Sequence, residues 1–498
     1  MGVKWTDDQK KAIAPSGKGT VVSAAAGSGK TAVLIERIIN ILCDKQKRVP
    51  ADKLLAVTFT KDAAAQMRDK LNTAIEKKLA QDPRDEWLLQ QYSLVSLAKI
   101  ATIDSFCLDL VKDNMHKFDF QGGIRTLEDA DSKQLLADSA AEAMEELCRD
   151  EPQDYALLDD AFGSGFEAKV TQMVKKLIDY FHTISYAERW KAKAMEFYES
   201  DEVFEMLTDH VMQNALAEME TAQADVERLR YYYNYCFEEG GKKIFLRDHY
   251  NALEKNFAVL SDIVSEMSLA LSHGEWEKVG AVDVPKSLSS LRISKEKELS
   301  PAAKQDLVNA IAAAKTIRDS IKDTTKDILS VFSIPKEHYR ENIRKSNRIF
   351  SVICKLEKRT EEISMEKKLE KNALDFSDIE LMAKDLLVKE TENGLVRTEL
   401  AEEIRSSGMY RLIFLDEYQD VNAVQERIFR AVSRQERNLF LVGDVKQSIY
   451  RFRLADPTLF LEKYQTFVPF DRAAEGEGRK ILLRENFRSR RCVLDAAN

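Results

Sequence analysis

Hydrophobic positions along the chain fall into two rhythms. In the first, short apolar runs end abruptly in polar or acidic residues: "GTVVSAA" around Val21 and Val22, "LLAVTFT" (54–60), "KIATIDSF" (99–106), "RLIFLDE" around Leu412–Leu415, "NLFLVGD" (438–444) and "KILLREN" (480–486). Leu412 to Leu415 are apolar without interruption, as suits a strand covered on both faces of a parallel sheet. In the second rhythm apolar residues recur at helical spacing, first at Val33, Leu34, Ile38 and Leu42, which predicts a helix directly after the first strand. Between residues 119 and 372 the strand signal fades, and helix-period segments such as "SKQLLADSAAEAMEELCRD" alternate with charged ones such as "KLEKRTEEISMEKKLEKNA". The pattern predicts an α/β fold, a parallel sheet flanked by helices and interrupted by a large all-helical insertion. Residues 1–118 and 373–470 are expected to form the α/β part and 119–372 the insertion. Strand ends that are Thr-rich or acidic fit a sheet that gathers ligands at its carboxyl edge.

Composition narrows the classes. With 498 residues, 44% of them hydrophobic, the chain is long enough for two or three domains with their own cores. Charged residues make up 32% and the net charge is -9, so any nucleic-acid site must be local rather than a bulk positive field. The six cysteines (Cys43, Cys107, Cys148, Cys236, Cys354, Cys492) lack CxxC spacing and indicate neither a zinc centre nor a disulfide framework. No apolar run approaches the roughly 18 residues of a membrane helix, and the amino terminus has no apolar signal core. A soluble, cytoplasmic protein is expected.

The first strand and helix are joined by "AAAGSGKT", a loop suited to phosphate. Its glycines, Gly27 and Gly29, let the backbone N–H groups of Ala26 to Gly29, Ser28 among them, point at phosphate oxygens. Lys30 reaches the terminal phosphates, and the Thr31 hydroxyl can bind magnesium. The strict form of the pattern begins with Gly, where this chain has Ala24. A phosphate loop needs a carboxylate strand, and "RLIFLDEYQD" supplies one: Asp416 sits where a metal-binding Asp belongs, with Glu417 beside it to orient and deprotonate water. The stretch "GDVKQSIYRFRLADP" mixes Gln447 with Tyr450, Phe452 and Arg453 just after another strand. Aromatic rings stack on any base at about 1–3 kcal/mol each and Arg adds phosphate contacts, so the stretch can grip single-stranded DNA.

"WTDDQ", "AAAGSGKT", "AVTFTKDAAAQM", "TIDSFC", "LDFSDI", "LDEYQD", "GDVKQSIYRFRLADP" and "LLRENFRS" occur in that order, and the set resembles a superfamily 1 DNA helicase of the UvrD/Rep type, nearest the AddA (RexA) chains of bacterial AddAB (RexAB) helicase-nucleases. The resemblance implies a RecA-like P-loop NTPase lobe using ATP and Mg2+, and 3′ to 5′ movement on single-stranded and duplex-junction DNA in double-strand-break repair. It further implies an AddB-like partner in the parent protein. By position, Gln9 matches the residue that reads adenine, Phe487 one that stacks on it, Arg488 an arginine that reaches the γ-phosphate, and Gln447 a γ-phosphate sensor. Phe59, with Thr58 and Thr60, matches DNA-contacting positions, as do Thr102 and Ser105. Ala32 stands where many relatives have Arg, and Asp104 where many have His, so the His role is not carried over. The resemblance further implies that residues 471–498 are the start of the family's second motor lobe, with the rest of that lobe and the carboxyl-terminal nuclease domain expected outside these residues, which predicts slow hydrolysis by the chain alone. Two alternatives stay open: a Rep-like repair helicase without a nuclease, and a non-hydrolysing fragment that binds ATP and DNA.

Overall fold

The computed structural model describes residues 4–14, 19–46, 48–118, 120, 122–238, 247–289, 301–391, 394–448, 455–474 and 476–489. The strands are β1 (Thr20–Ala24), β2 (Leu54–Thr58), β3 (Lys99–Thr102), β4 (Arg125–Thr126), β5 (Ala373–Leu374), β6 (Val388–Thr391), β7 (Gly394–Arg397), β8 (Leu412–Leu415), β9 (Leu439–Gly443), β10 (Val468–Pro469) and β11 (Arg479–Leu483). Seven of them form one sheet in the order β10-β11-β1-β9-β8-β2-β3. Every neighbouring pair in it is parallel, so all seven carboxyl ends open on one edge.

Continuous apolar runs are needed because successive residues face different cores. Leu55, Val57, Ile413, Leu415, Leu439 and Leu441 enter one, beneath the helices Ile103–Asp113, Phe376–Leu387 and Ala423–Val432. Leu54, Ala56, Phe414, Phe440, Val442 and Ile481 enter the other, beneath Lys30–Leu42 and Lys61–Leu79. Each such Leu, Ile or Val contributes about 1.5–3 kcal/mol on burial.

The strands stop earlier than the apolar runs suggest. β2 ends at Thr58 rather than 60, and β3 at Thr102 rather than 106. The reason is capping: Thr60 Oγ1 accepts the Ala63 N–H at 3.2 Å and Thr102 Oγ1 the Ser105 N–H at 3.1 Å, so each threonine starts the next helix. The expected boundary at 471 is also corrected. β11 pairs with β1 in register, Thr20 opposite Arg479 and Ala24 opposite Leu483, so residues 479–483, placed beyond that boundary, belong to the first sheet.

The chain divides into two compact units, Met1–Trp190 with Ile353–Asn498, and Lys191–Val352. The helical stretch expected at 119–372 is therefore not one body: the helices Asp129–Asp150, Pro152–Phe162 and Phe166–Phe181 belong to the sheet unit. The short β4 and β5 pair in parallel where the helical stretch leaves and returns. The second unit is helical. Met212, Ala215, Met219, Ala222, Val226 and Leu229 repeat at steps of three and four on Asp201–Glu238, and pack with Leu260, Val264 and Met267 of Arg247–Ser272 and Ile317, Ile321 and Ile328 of Pro301–Phe332. No helix of the described residues is long and apolar enough to cross a membrane.

Candidate nucleotide site

β1 runs straight into the phosphate loop. Gly27 and Gly29 have φ of +75° and +84°, the left-handed region that glycine enters without strain. Gly27 has a second constraint, since a Cβ there would lie 2.6 Å from Asn486 Oδ1 and 2.8 Å from Arg488 Cβ. Gly29 starts the helix Lys30–Leu42 with no side-chain cap, so its leading N–H groups stay available to an anion. The departure at Ala24 is harmless to this geometry: it is the fully buried last residue of β1, and the turn begins after it.

Opposite the loop, β8 delivers two carboxylates. The Asp416 N–H donates to Val57 O at 3.0 Å, and its Oδ1 accepts the Glu417 N–H at 3.0 Å. Burial, and then the neighbouring Glu417, push the Asp416 carboxyl up to about 6, against the Glu417 N–H and Lys30. Glu417 adopts φ +50° and ψ +42°, a conformation costing a non-glycine residue on the order of 1 kcal/mol. From there its Oε2 meets Lys30 Nζ at 2.9 Å. β9 lies between β1 and β8 and ends at the turn Val445–Gln447, where Gln447 Nε2 donates to Asp444 Oδ2 at 2.6 Å.

The remaining nucleotide candidates converge on the loop. Gln9 Nε2 donates to Ser28 O at 3.1 Å while its Oε1 accepts the Thr6 N–H at 3.0 Å, so this amide ties the helix Asp7–Ile13 to the loop. Ser28 is buried and its Oγ has no partner among the described residues. Thr31 is the second residue of the helix and half-buried. Phe487 is 57% exposed, free to offer a ring face, and its N–H donates to Gly27 O at 2.7 Å. Arg488 is exposed beside it.

Sequence reasoning missed Asn486. Its Nδ2 donates to Ala26 O at 2.9 Å and its Oδ1 accepts the N–H groups of Arg488 and Ser489, both at 2.9 Å, clasping the β11 turn to the phosphate loop. The turn-forming habit of Asn was the available signal. Arg37 was also missed: buried under the sheet with its guanidinium over Phe440, it donates to Ala12 O at 2.9 Å and to Ala14 O, holding the carboxyl end of the Gln9 helix.

The DNA candidates divide. Thr58 and Thr102 are register partners at the ends of β2 and β3, on the same carboxyl edge as the phosphate loop. Their hydroxyls are locally engaged, Thr58 Oγ1 with Thr60 O at 3.0 Å and Thr102 Oγ1 with Ser105 Oγ at 2.9 Å. Phe59, which follows Thr58, is half-buried. Tyr450, Phe452 and Arg453 lie outside the described residues. "LDFSDI" is brought to neither group. Asp375 and Asp378 form a capping box and share Lys368 Nζ at 2.7 Å each, and Ser132 Oγ donates to Asp375 at 2.7 Å, a buried cluster beside β5.

The donor chemistry fits magnesium: the Thr31 hydroxyl and Asp416 carboxylate are hard oxygen ligands, and the loop between them and β1 holds a buried Ser28 Oγ with no partner among the described residues. Among the described residues no cluster of three or more His, Cys, Asp or Glu could hold an ion unaided, so such a metal would need phosphate and water to complete its shell.

Three relatives are named as the A-type chain of an ATP-dependent helicase/nuclease. Those of Geobacillus kaustophilus, Listeria monocytogenes and Clostridium perfringens are 34%, 32% and 32% identical over 100%, 99% and 100% of this chain. The chain spans 39%, 39% and 38% of their respective lengths. The UvrD/REP helicase N-terminal domain matches residues 5–468. With its phosphate loop, paired carboxylates and parallel sheet, the chain belongs to the UvrD/REP helicase family.

Proposed function

We propose that this chain is the ATP-binding motor portion of a 3′ to 5′ DNA helicase, the AddA-like component of a helicase-nuclease that works in double-strand-break repair with an AddB-like partner. The observation that carries the reading is the 2.9 Å pair between Lys30 and Glu417, which brings the helix after β1 and the end of β8 to one point beside Gly27 and Gly29. Lys30 leaves Glu417 for the terminal phosphates when nucleotide binds, and Glu417 then accepts the proton of the attacking water. Thr31 and Asp416 would hold magnesium, which when bound supplies charge neutralisation at the phosphates. Gln447 reports the phosphate state, and Phe59 with Tyr450, Phe452 and Arg453 grips single-stranded DNA. Arg488 and Phe487 approach the nucleotide from the β11 turn, which Asn486 clasps to the loop.

The test is nucleotide binding and ATP turnover by this chain, with and without single-stranded DNA. Lys30→Ala should weaken nucleotide binding about tenfold or more, whereas Glu417→Gln should keep binding and lower turnover about 10²-fold or more. Turnover that survives Glu417→Gln sinks the assignment of the base. Failure to bind single-stranded DNA sinks the DNA half.

A further inference from the structure

Gln419 lies between the two strand ends of the site and takes part in no step above. It is 1% exposed in the turn Tyr418–Asp420. Its Nε2 donates to Glu417 Oε2 at 2.9 Å and to Asp420 Oδ2 at 3.1 Å, and its Oε1 accepts the Asp444 N–H at 2.9 Å. The amide can point only one way, because carboxylates on one side only accept and a backbone N–H on the other only donates. Asp444 Oδ2 in turn accepts Gln447 Nε2 at 2.6 Å. Gly443 makes the approach possible: a Cβ there would sit 2.5 Å from Gln419 Oε1 and 3.2 Å from its N.

We infer that Gln419 is the positioning residue that holds Glu417 for water activation and ties it to the turn bearing Gln447. The inference deepens the ATPase reading and rests on it. Among the described residues Glu417 Oε2 has two donors, Lys30 and Gln419. Once Lys30 turns to phosphate, Gln419 is the donor that keeps Oε2 occupied and leaves Oε1 to take the proton from water. A shift of Gln447 with phosphate state then moves Asp444, and through Gln419 the carboxylate itself. The contact is one continuous chain, Glu417–Gln419–Asp444–Gln447, spanning the ends of the adjacent strands β8 and β9.

Amide hydrogen exchange on this chain, beside ATP turnover, tests it in the wild type, Gln419→Met and Gln419→Glu. In Gln419→Met, exchange at the Asp444 amide should rise about tenfold or more while Leu441 in β9 stays protected. Turnover should fall about tenfold or more with ADP affinity within about twofold. Gln419→Glu keeps an acceptor for the Asp444 N–H but sets a carboxylate against Glu417, so it should restore protection and not turnover. Gly443→Ala, which crowds the same link from the other side, should reproduce Gln419→Met. Where turnover is too slow to follow, affinity for ADP with aluminium fluoride relative to ADP alone replaces it. Unchanged Asp444 exchange in Gln419→Met overturns the link. Lost protection with turnover, or analogue preference, within about twofold of wild type overturns the positioning role. If the wild type binds no nucleotide, the ATPase reading fails while the exchange result still decides whether Gln419 joins the two turns.

Discussion

Glu380 shows how one buried side chain makes the fold sensitive to pH. On the helix Phe376–Leu387 it takes Gln425 Nε2 at 2.6 Å and Asn422 Nδ2 at 3.3 Å. Burial outweighs these bonds, and with Asp104 alongside, its carboxyl is pushed up to about 7. The Asp104 carboxyl beside Glu380 favours the protonated form, which gives Asp104, without a role in the DNA reading, a structural one. A value raised on folding means that the protonated form favours the native state. The stabilisation is complete below the unfolded value near 4.5 and is lost as pH rises through about 7. Glu380→Gln removes the ionisation but gives up one of the two oxygens that accept Gln425 and Asn422, so its stability relative to wild type should be higher at pH 8 than at pH 4.5 by on the order of 1–3 kcal/mol, as read by urea unfolding at both values. Equal effects at the two pH values would contradict the assignment.

At the scale of elements, the helix caps decide where strands stop and the ion cluster decides how the helical stretch rejoins the sheet. Lys368, at the end of the helix Lys336–Glu370, is 5% exposed and sits between Asp375 and Asp378 at the start of Phe376–Leu387. Burial alone would push both carboxyls up, but Lys368 holds Asp375 well below the usual carboxylate range, while burial and Asp375 together leave Asp378 raised to about 6. Removing the cation strands the buried Asp378 and the half-buried Asp375. Lys368→Met should cost about 3–5 kcal/mol in chemical unfolding, with little dependence on salt because the pair is shielded from water. A loss under about 1 kcal/mol would mean that the cluster opens to solvent without penalty.

For the whole molecule, two compact units have separate cores, so damage to one should leave the chemistry of the other intact. Trp276 anchors the helical unit: fully buried, its ring lies 4.3 Å from Phe332 between centroids, and its Nε1 donates to Ile334 O at 2.8 Å. Trp276→Ala should destabilise that unit by about 3–5 kcal/mol, visible as an earlier melting transition, with ADP affinity at the phosphate loop unchanged below that transition. A parallel loss of affinity would show that nucleotide binding depends on the helical unit.

The sequence by itself determined most of the sheet and the composition of the loop and strand ends at its carboxyl edge. Runs such as Leu412–Leu415 suit a strand buried on both faces, and "GSGKT" with "LDE" carries the local chemistry for phosphate and metal once the two are paired. Local signals also carried the helices, because capping and apolar spacing act within a few residues. What only the tertiary structure decided is which strand ends meet. Strand order set β9 between β1 and β8, bringing Lys30 to Glu417 across 387 positions of chain, and paired β11 with β1 so that Asn486 could clasp Ala26. It also gave buried polar residues their partners: Gln419 with Asp444, Glu380 with Asp104, Lys368 with two aspartates. A buried polar group must be satisfied, yet the group that satisfies it lies far away in sequence, so no local pattern records the pairing.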